Sequence, residues 1–157
     1  WAGAFGNFQF MPSTIKNHAI DHNGDNKIDL LNIEDSFASA ANYLNNLGWN
    51  NNIPCFYKID LLESIPLKYL NISAKNIKNK RKVIYFKQFI NNSNFLDDYN
   101  DLNAAIITPD SDIVPDTNKY MPAYIIFDNY ELILKWNRSL RFALAICTLK
   151  EKFSSDL

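Results

Sequence analysis

Nowhere does this chain hold an apolar run approaching the roughly 18 residues that a membrane-spanning helix needs, so no segment reads as transmembrane. A dominant charge is lacking too. Sixteen basic residues against 17 acidic ones give a formal net charge of −1, which excludes a global field directed at nucleic acid or an anionic membrane. Two cysteines are too few for a disulfide scaffold and lack metal-ligand spacing. Cys147, within Ala143-Leu-Ala-Ile-Cys-Thr-Leu149, reads as a small buried apolar residue, and the sequence leaves open whether it pairs with Cys55. With only four glycines, the excess of Asn, Lys and Ile reads as compositional drift. No internal repeat and no signal peptide is visible. The chain opens without a methionine, and we expect an N-terminal portion of the polypeptide to lie outside it.

What is present suffices for one folded core, or a core plus a small subdomain: 157 residues, 47% hydrophobic and 14% aromatic. Pro12 suits the first turn of a helix over 12–20, where its missing N–H would be unpaired anyway. Phe37, Ala40, Ala41, Leu44 and Leu47 recur at helical spacing over 36–47, with Asp35 as N-cap and Gly48 as stop. Asn129 can cap a helix over 130–136, and Ser139 one over 140–153 with Phe142, Leu144, Ala145 and Leu149 as its apolar stripe. Between lie β-type runs at 82–86, 104–108 and 123–127, parted by turn clusters at 91–94 and 109–112. The expected fold is α+β and mainly α: a helical body over 1–50, a small antiparallel β insertion over 51–122, and helices returning to the core over 123–157.

Two stretches carry chemistry. Asp21, Asn23 and Asp25 fill positions one, three and five of an EF-hand-type loop, Lys27 offers its backbone carbonyl at seven, and Asp29 stands at nine. Asn26 replaces the usual glycine at six, which Asn tolerates because it enters the left-handed region more readily than most residues. Asn32 replaces the usual bidentate Glu at twelve, and Asp35 is placed to supply the missing carboxylate. The plain alternative is an Asn/Asp/Gly-rich turn without metal. Before the loop, Gly3 and Gly6 allow tight backbone, while Trp1, Phe8, Phe10 and Gln9 combine flat apolar faces with an amide. That pairing suits a sugar, although aromatic residues are also ordinary core. Trp136 and Asn137 form a second candidate wall, with a C-cap and a core residue as the plain reading.

Trp1-Ala-Gly-Ala-Phe-Gly-x-x-Gln-Phe-Met-Pro-Ser13, Asp21-x-Asn-Gly-Asp25, Ala40-Ala-Asn-Tyr-Leu44, Pro122-Ala-Tyr-Ile-Ile-Phe-Asp-Asn-Tyr130 and Lys135-Trp-Asn-Arg-Ser139 together resemble the membrane-bound lytic murein transglycosylase B type. The middle, roughly 53–120, is only loosely similar. The resemblance implies a lysozyme-like helical core with one EF-hand-like calcium site and an inserted β domain. It also implies cleavage of the MurNAc–GlcNAc bond of peptidoglycan in a Gram-negative periplasm or envelope, with 1,6-anhydromuramyl ends as product. Carried over residue by residue, Gln9, Phe10, Tyr43, Trp136 and Asn137 match the glycan cleft. Asp21, Asn23, Asp25, Lys27 and Asp35 match the Ca2+ ligands. The expected partner is the glycan strand and not nucleic acid, with room for a lipid anchor outside this sequence.

Such enzymes use one glutamate as acid and then base. Glu34, Glu63, Glu131 and Glu151 all fall away from its place, upstream of the glycine-aromatic motif, so the chain alone is expected to be inactive. The alternatives are a murein-binding module that does not cut, or a dockerin-like calcium module, which would ordinarily carry two such loops. The basic run Lys75-Asn-Ile-Lys-Asn-Lys-Arg-Lys82 reads as a solvated loop.

Overall fold

A computed structural model describes residues 3–109 and 120–155. Trp1 and residues 110–112 of the predicted turn cluster lie outside that range. The chain divides into two compact units, Trp1–Asn50 and Asn51–Leu157.

The first unit holds α1 (Pro12–His18) and α2 (Ile33–Asn46) on either side of the acidic loop. Pro12 occupies the first turn of α1, as expected. Asn32, not Asp35, caps α2: its amide oxygen accepts the N–H groups of Glu34 at 2.7 Å and Asp35 at 3.4 Å. Gly48 ends the helix in the left-handed region, with φ +99°. The predicted apolar stripe of α2 is rotated. Phe37 and Ala41 are exposed, and the inward face carries Asp35, Ser36, Ser39 and Ala40. The cause is that the preceding loop needs acceptors for its N–H groups. Ser39 Oγ takes that of Ile20 at 3.0 Å, and the Asp35 carboxylate takes three more.

The second unit is built on five strands: β1 (Phe56–Ile59), β2 (Leu70–Asn71), β3 (Arg81–Lys82), β4 (Asn103–Ile107) and β5 (Ala123–Ile126). The order is β1-β5-β4-β2, with β3 also on β4. The sheet is mixed rather than antiparallel, because β2 runs parallel to β4 with Leu70 opposite Ile106. Central β4 buries Ala104 to Ile107 without alternation, as a strand covered on both faces should. The predicted strand over 82–86 is instead mostly α3 (Val83–Phe86). Its β-type composition yields to burial at three-residue spacing: Val83 and Phe86 are both fully buried, beside Ile106, Ile125 and Phe127.

Two helices close the unit. Strand β5 leads directly into α4 (Asp128–Trp136), and α5 (Leu140–Ser155) follows. Phe127, not Asn129, stands at the N-cap of α4, while Asn129 is buried and donates to the Ile53 carbonyl at 2.6 Å. Ser139 Oγ does cap α5, accepting the Phe142 N–H at 3.2 Å. The face that α5 buries is Leu140, Ala143 and Cys147, not the predicted Phe142, Ala145 and Leu149. A Cys55–Cys147 disulfide, with Cα atoms 6.0 Å apart, fixes that facing by tying α5 to the residue before β1.

Candidate functional site

In the first unit the glycine-aromatic segment folds back on itself. Phe5 and Phe10 exchange both backbone hydrogen bonds at 2.9 Å, and the Gln9 N–H closes on the Gly6 carbonyl at 3.0 Å. The turn requires Gly6 at φ +78° and places Gln9 at φ +51°. Glycine enters the left-handed region without cost, but glutamine does not. The Gln9 side chain is held as well, its Nε2 donating to the Gly6 carbonyl at 2.9 Å, while the residue remains exposed. An exposed amide is thus fixed in orientation at the expense of backbone strain.

Aromatic rings flank it. Phe10 is 3% exposed and belongs to the core of this unit. Its ring meets Tyr43 edge-on at 6.1 Å, and Tyr43 also lies 4.9 Å from the His18 ring. Phe8, half-buried, meets the exposed Phe37 edge-on at 5.0 Å. Gln9, Phe10 and Tyr43 are therefore held in one unit by α2 and the folded-back segment. Phe10 acts as the prop, and Phe8, Gln9, Phe37 and Tyr43 keep accessible surface.

The acidic loop is shaped by its own side chains. Asp21 accepts the N–H groups of Gly24 at 2.7 Å and Asn26 at 2.8 Å. Asn23 accepts that of Asp25 at 3.0 Å, and Asp25 that of Lys27 at 2.8 Å. Gly24 and Asn26 are both left-handed, at φ +78° and +65°, so Asn26 takes the backbone of the usual glycine. Asp35, buried at the start of α2, gathers the ends of the loop. Oδ1 accepts from His22 at 2.8 Å and Asn23 at 3.4 Å, and Oδ2 from Asp29 at 2.9 Å. The bond from Asp29, then that from His22, holds the Asp35 carboxyl below its ordinary pKa against the opposing effect of burial. Among the described residues, no three acidic, histidine or cysteine side chains are clustered closely enough to hold a metal ion. The chemistry of the donor set, all oxygen at alternating positions, nevertheless suits a hard cation. Asn32, at loop position twelve, spends its oxygen on capping α2.

Trp136 and Asn137 belong to the second unit. Trp136 ends α4, half-buried, and Asn137 is the exposed C-cap, its N–H bonded to the Ile133 carbonyl at 2.9 Å. A groove of about 360 Å³ in this unit is lined by Ile53, Phe56, Tyr57, Lys58, Tyr99 and Glu151 among others, and neither Trp136 nor Asn137 reaches it. The four glutamates are scattered. Glu131 pairs with Lys80 at 2.5 Å, Glu151 pairs with Lys150 at 3.0 Å, and Glu34 and Glu63 are exposed. None is buried in an apolar pocket. Sequence reasoning missed the pinning of the Gln9 amide by Gly6, whose only signal was a glycine three residues before a glutamine.

Residues 1–151 match the transglycosylase SLT domain family. The membrane-bound lytic murein transglycosylase B of Escherichia coli (strain K12) is 47% identical over 49 residues, which is 31% of this chain and 14% of that protein. SltB3 from Pseudomonas aeruginosa, crystallised with NAG-anhNAM-pentapeptide, superimposes with a TM-score of 0.81 and 26% identity over 98% of this chain and 39% of SltB3. The Escherichia coli lytic transglycosylase Slt35 in complex with calcium matches in fold, with a TM-score of 0.68 and 23% identity over 96% of this chain and 44% of Slt35. The chain thus spans well under half the length of these relatives. Its α+β architecture is the lysozyme-like fold of the lytic transglycosylases. On the match across residues 1–151, the chain belongs to the transglycosylase SLT domain family.

Proposed function

We propose that this chain forms part of the glycan-binding frame of a peptidoglycan lytic transglycosylase acting in the periplasm or cell envelope. The observation that carries the reading is Gln9: exposed, left-handed at φ +51° and pinned by Gly6. Strain of this kind persists where the surroundings enforce it, and a polar side chain kept rigid beside aromatic faces is suited to reading hydroxyl and acetamido groups. Tyr43 and Phe8 would stack on sugar C–H faces, with Phe10 holding Tyr43 in place. Trp136 and Asn137, in the second unit, are assigned to glycan binding by family resemblance. SltB3 has been crystallised with NAG-anhNAM-pentapeptide and with NAG-NAM-pentapeptide, which supports a murein ligand here.

The reaction proposed for the complete catalytic unit is non-hydrolytic. A carboxylic acid protonates the glycosidic oxygen as the MurNAc C1–O bond breaks, then takes the proton of the muramyl C6 hydroxyl as that oxygen bonds C1. The acid must sit where burial keeps it protonated. Glu34 and Glu63 are exposed and Glu131 and Glu151 are ion-paired, so we assign the role to none of them. Asp21, Asn23, Asp25, the Lys27 carbonyl and Asp35 would hold Ca2+, whose charge would brace the loop against α2 and take no part in bond cleavage.

The second reading, a murein grip that does not cut, is favoured by those same glutamates. The test is incubation of the purified chain with murein sacculi, following both sedimentation and release of anhydromuropeptides. We expect sedimentation with sacculi, loss of it in Gln9→Ala, and no anhydromuropeptide. Released anhydromuropeptides would overturn the assignment of the acid; no sedimentation would overturn the glycan site.

A further inference from the structure

The near-neutral charge of the chain conceals a one-sided segment. Between Glu63 and Asp97 there are seven basic residues and no acidic one, leaving nine basic against 17 acidic residues elsewhere. Three of the seven are neutralised: Lys80 by Asp128 and Glu131, Lys82 by Asp101, and Lys87 by Asp97. Among the described residues, Lys68, Lys75, Lys78 and Arg81 have no carboxylate partner.

These four cations stand on a built platform. Asn71, buried at the end of β2, donates to the carbonyls of Tyr69 at 3.2 Å, Lys78 at 3.2 Å and Ile106 at 2.9 Å. Its oxygen accepts the Lys78 N–H at 2.8 Å. Asn79, left-handed at φ +56°, donates to the Lys68 carbonyl at 2.5 Å. The loop is therefore fastened at Lys78 to Asn71 of β2, and at Asn79 to the helical turn Leu67–Tyr69 that precedes β2. Lys68 and Arg81 converge on the same ring, that of Tyr69, at 5.2 and 5.8 Å from its centroid. A loop that served only to be solvated would let like charges spread; here the buried Asn71, the exposed Asn79 and the Tyr69 ring hold the backbone at Lys78 and the side chains of Lys68 and Arg81 in one region.

Leu67 is 55% exposed and Ile72 45% exposed, each beside a residue that fastens the loop. Cations alone would suit any polyanion. Cations interleaved with exposed aliphatic side chains suit an interface with both phosphate headgroups and an apolar layer beneath them. We propose that this platform docks the protein onto an anionic lipid bilayer, with Lys68, Lys75, Lys78 and Arg81 on headgroup phosphates and Leu67 and Ile72 at the acyl boundary.

The test is flotation of the full chain with vesicles of phosphatidylcholine alone, and of phosphatidylcholine containing roughly one-third phosphatidylglycerol. We expect binding only to the anionic vesicles, weakened by added salt. In Lys75→Glu/Lys78→Glu, whose exposed side chains carry no internal bond, binding should fall at least about tenfold. Leu67→Ser/Ile72→Ser should weaken it without changing its salt dependence. A circular dichroism spectrum matching the wild type confirms that each variant is folded. Absence of binding, equal binding to neutral vesicles, or anionic binding that both variants retain would each overturn the proposal. So would transfer of the lysine-dependent binding from vesicles to murein sacculi, which would assign the platform to the carboxylates of that polymer.

Discussion

Gly6 lies so close to Leu30 that a Cβ on Gly6 would stand 2.6 Å from the Leu30 Cβ and 2.8 Å from its carbonyl oxygen. The Leu30 carbonyl also accepts the Asn7 N–H at 2.9 Å. The turn that presents Gln9 is thus seated directly on the residue that closes the acidic loop. Within this unit, the candidate sugar-reading amide and the candidate cation loop share one packing contact.

Gly6→Ala should therefore cost twice, once for the left-handed backbone and once for displacing Leu30. Each effect is worth on the order of 1–2 kcal/mol, so a loss of about 2 kcal/mol or more is expected. Gly24 has nearly the same φ, but a Cβ added there would meet nothing within 4 Å, so Gly24→Ala should lose only about 1 kcal/mol. Urea unfolding of both variants checks this, and equal losses would show that the Leu30 contact carries no weight.

The disulfide gives a second expectation. It links residues 92 apart in sequence and joins the start of β1 to α5. A link of that span restricts the unfolded chain, and its reduction should lower stability by about 2–4 kcal/mol. Urea midpoints with and without reductant measure it, and Cys55→Ala/Cys147→Ala should match the reduced protein. An unchanged midpoint would mean that the packing of Ala143 and Leu140 alone fixes α5.

How much of this was legible in the sequence differs by element. Pro12, Gly48 and Ser139 act locally, so their helix boundaries could be read from residue chemistry. The span 82–86 could not, because Val-Ile-Tyr-Phe is a strand by composition and a helical turn only because Val83 and Phe86 meet the sheet core. The inward face of α2 failed for a related reason. Asp35, Ser36 and Ser39 look like a solvent face until one knows that Asp35 and Ser39 satisfy the N–H groups of a loop 12–19 residues earlier. In the candidate site, Gln9 was visible as a chemical type and Tyr43 only through the family resemblance, whereas the left-handed strain at Gln9 was visible in neither. The parallel pairing of β2 with β4 has no local sequence signal, since Leu70 and Ile106 are far apart along the chain and only the fold brings them together.

Tyr130 yields a pH dependence. Its hydroxyl donates to the Leu140 carbonyl at 2.6 Å, and burial pushes its pKa well above the ordinary value of 10. Above pH 10 the unfolded chain releases this proton and the folded chain does not, so the unfolded state binds fewer protons and stability falls as pH rises. The contribution is complete below pH 10 and is lost progressively above it. Tyr130→Phe should cost about 1 kcal/mol at neutral pH and show a flatter decline between pH 10 and the folded pKa. Stability curves of the two proteins across that range test the assignment, and parallel curves would remove it.

Calcium gives the sharpest separation between a metal loop and a plain Asx-rich turn. If the cation binds only the folded loop, stability should rise with concentration by mass action, by about 2.7 kcal/mol at a hundredfold excess over Kd. Asp25 is the informative position, because among the described residues its Oδ1 accepts just the Lys27 N–H two residues on, at 2.8 Å, whereas Asp35 holds both ends of the loop. Asp25→Ala should thus remove the calcium response while leaving metal-free stability within about 0.5–1 kcal/mol of wild type. Asp35→Asn should lower stability even in a chelator, since its carboxylate accepts three backbone N–H groups without any metal. Thermal melts of the three proteins in calcium and in chelator distinguish the cases. A wild-type protein indifferent to calcium, with Asp35→Asn still destabilised, would leave the loop as a turn braced by Asp35 alone.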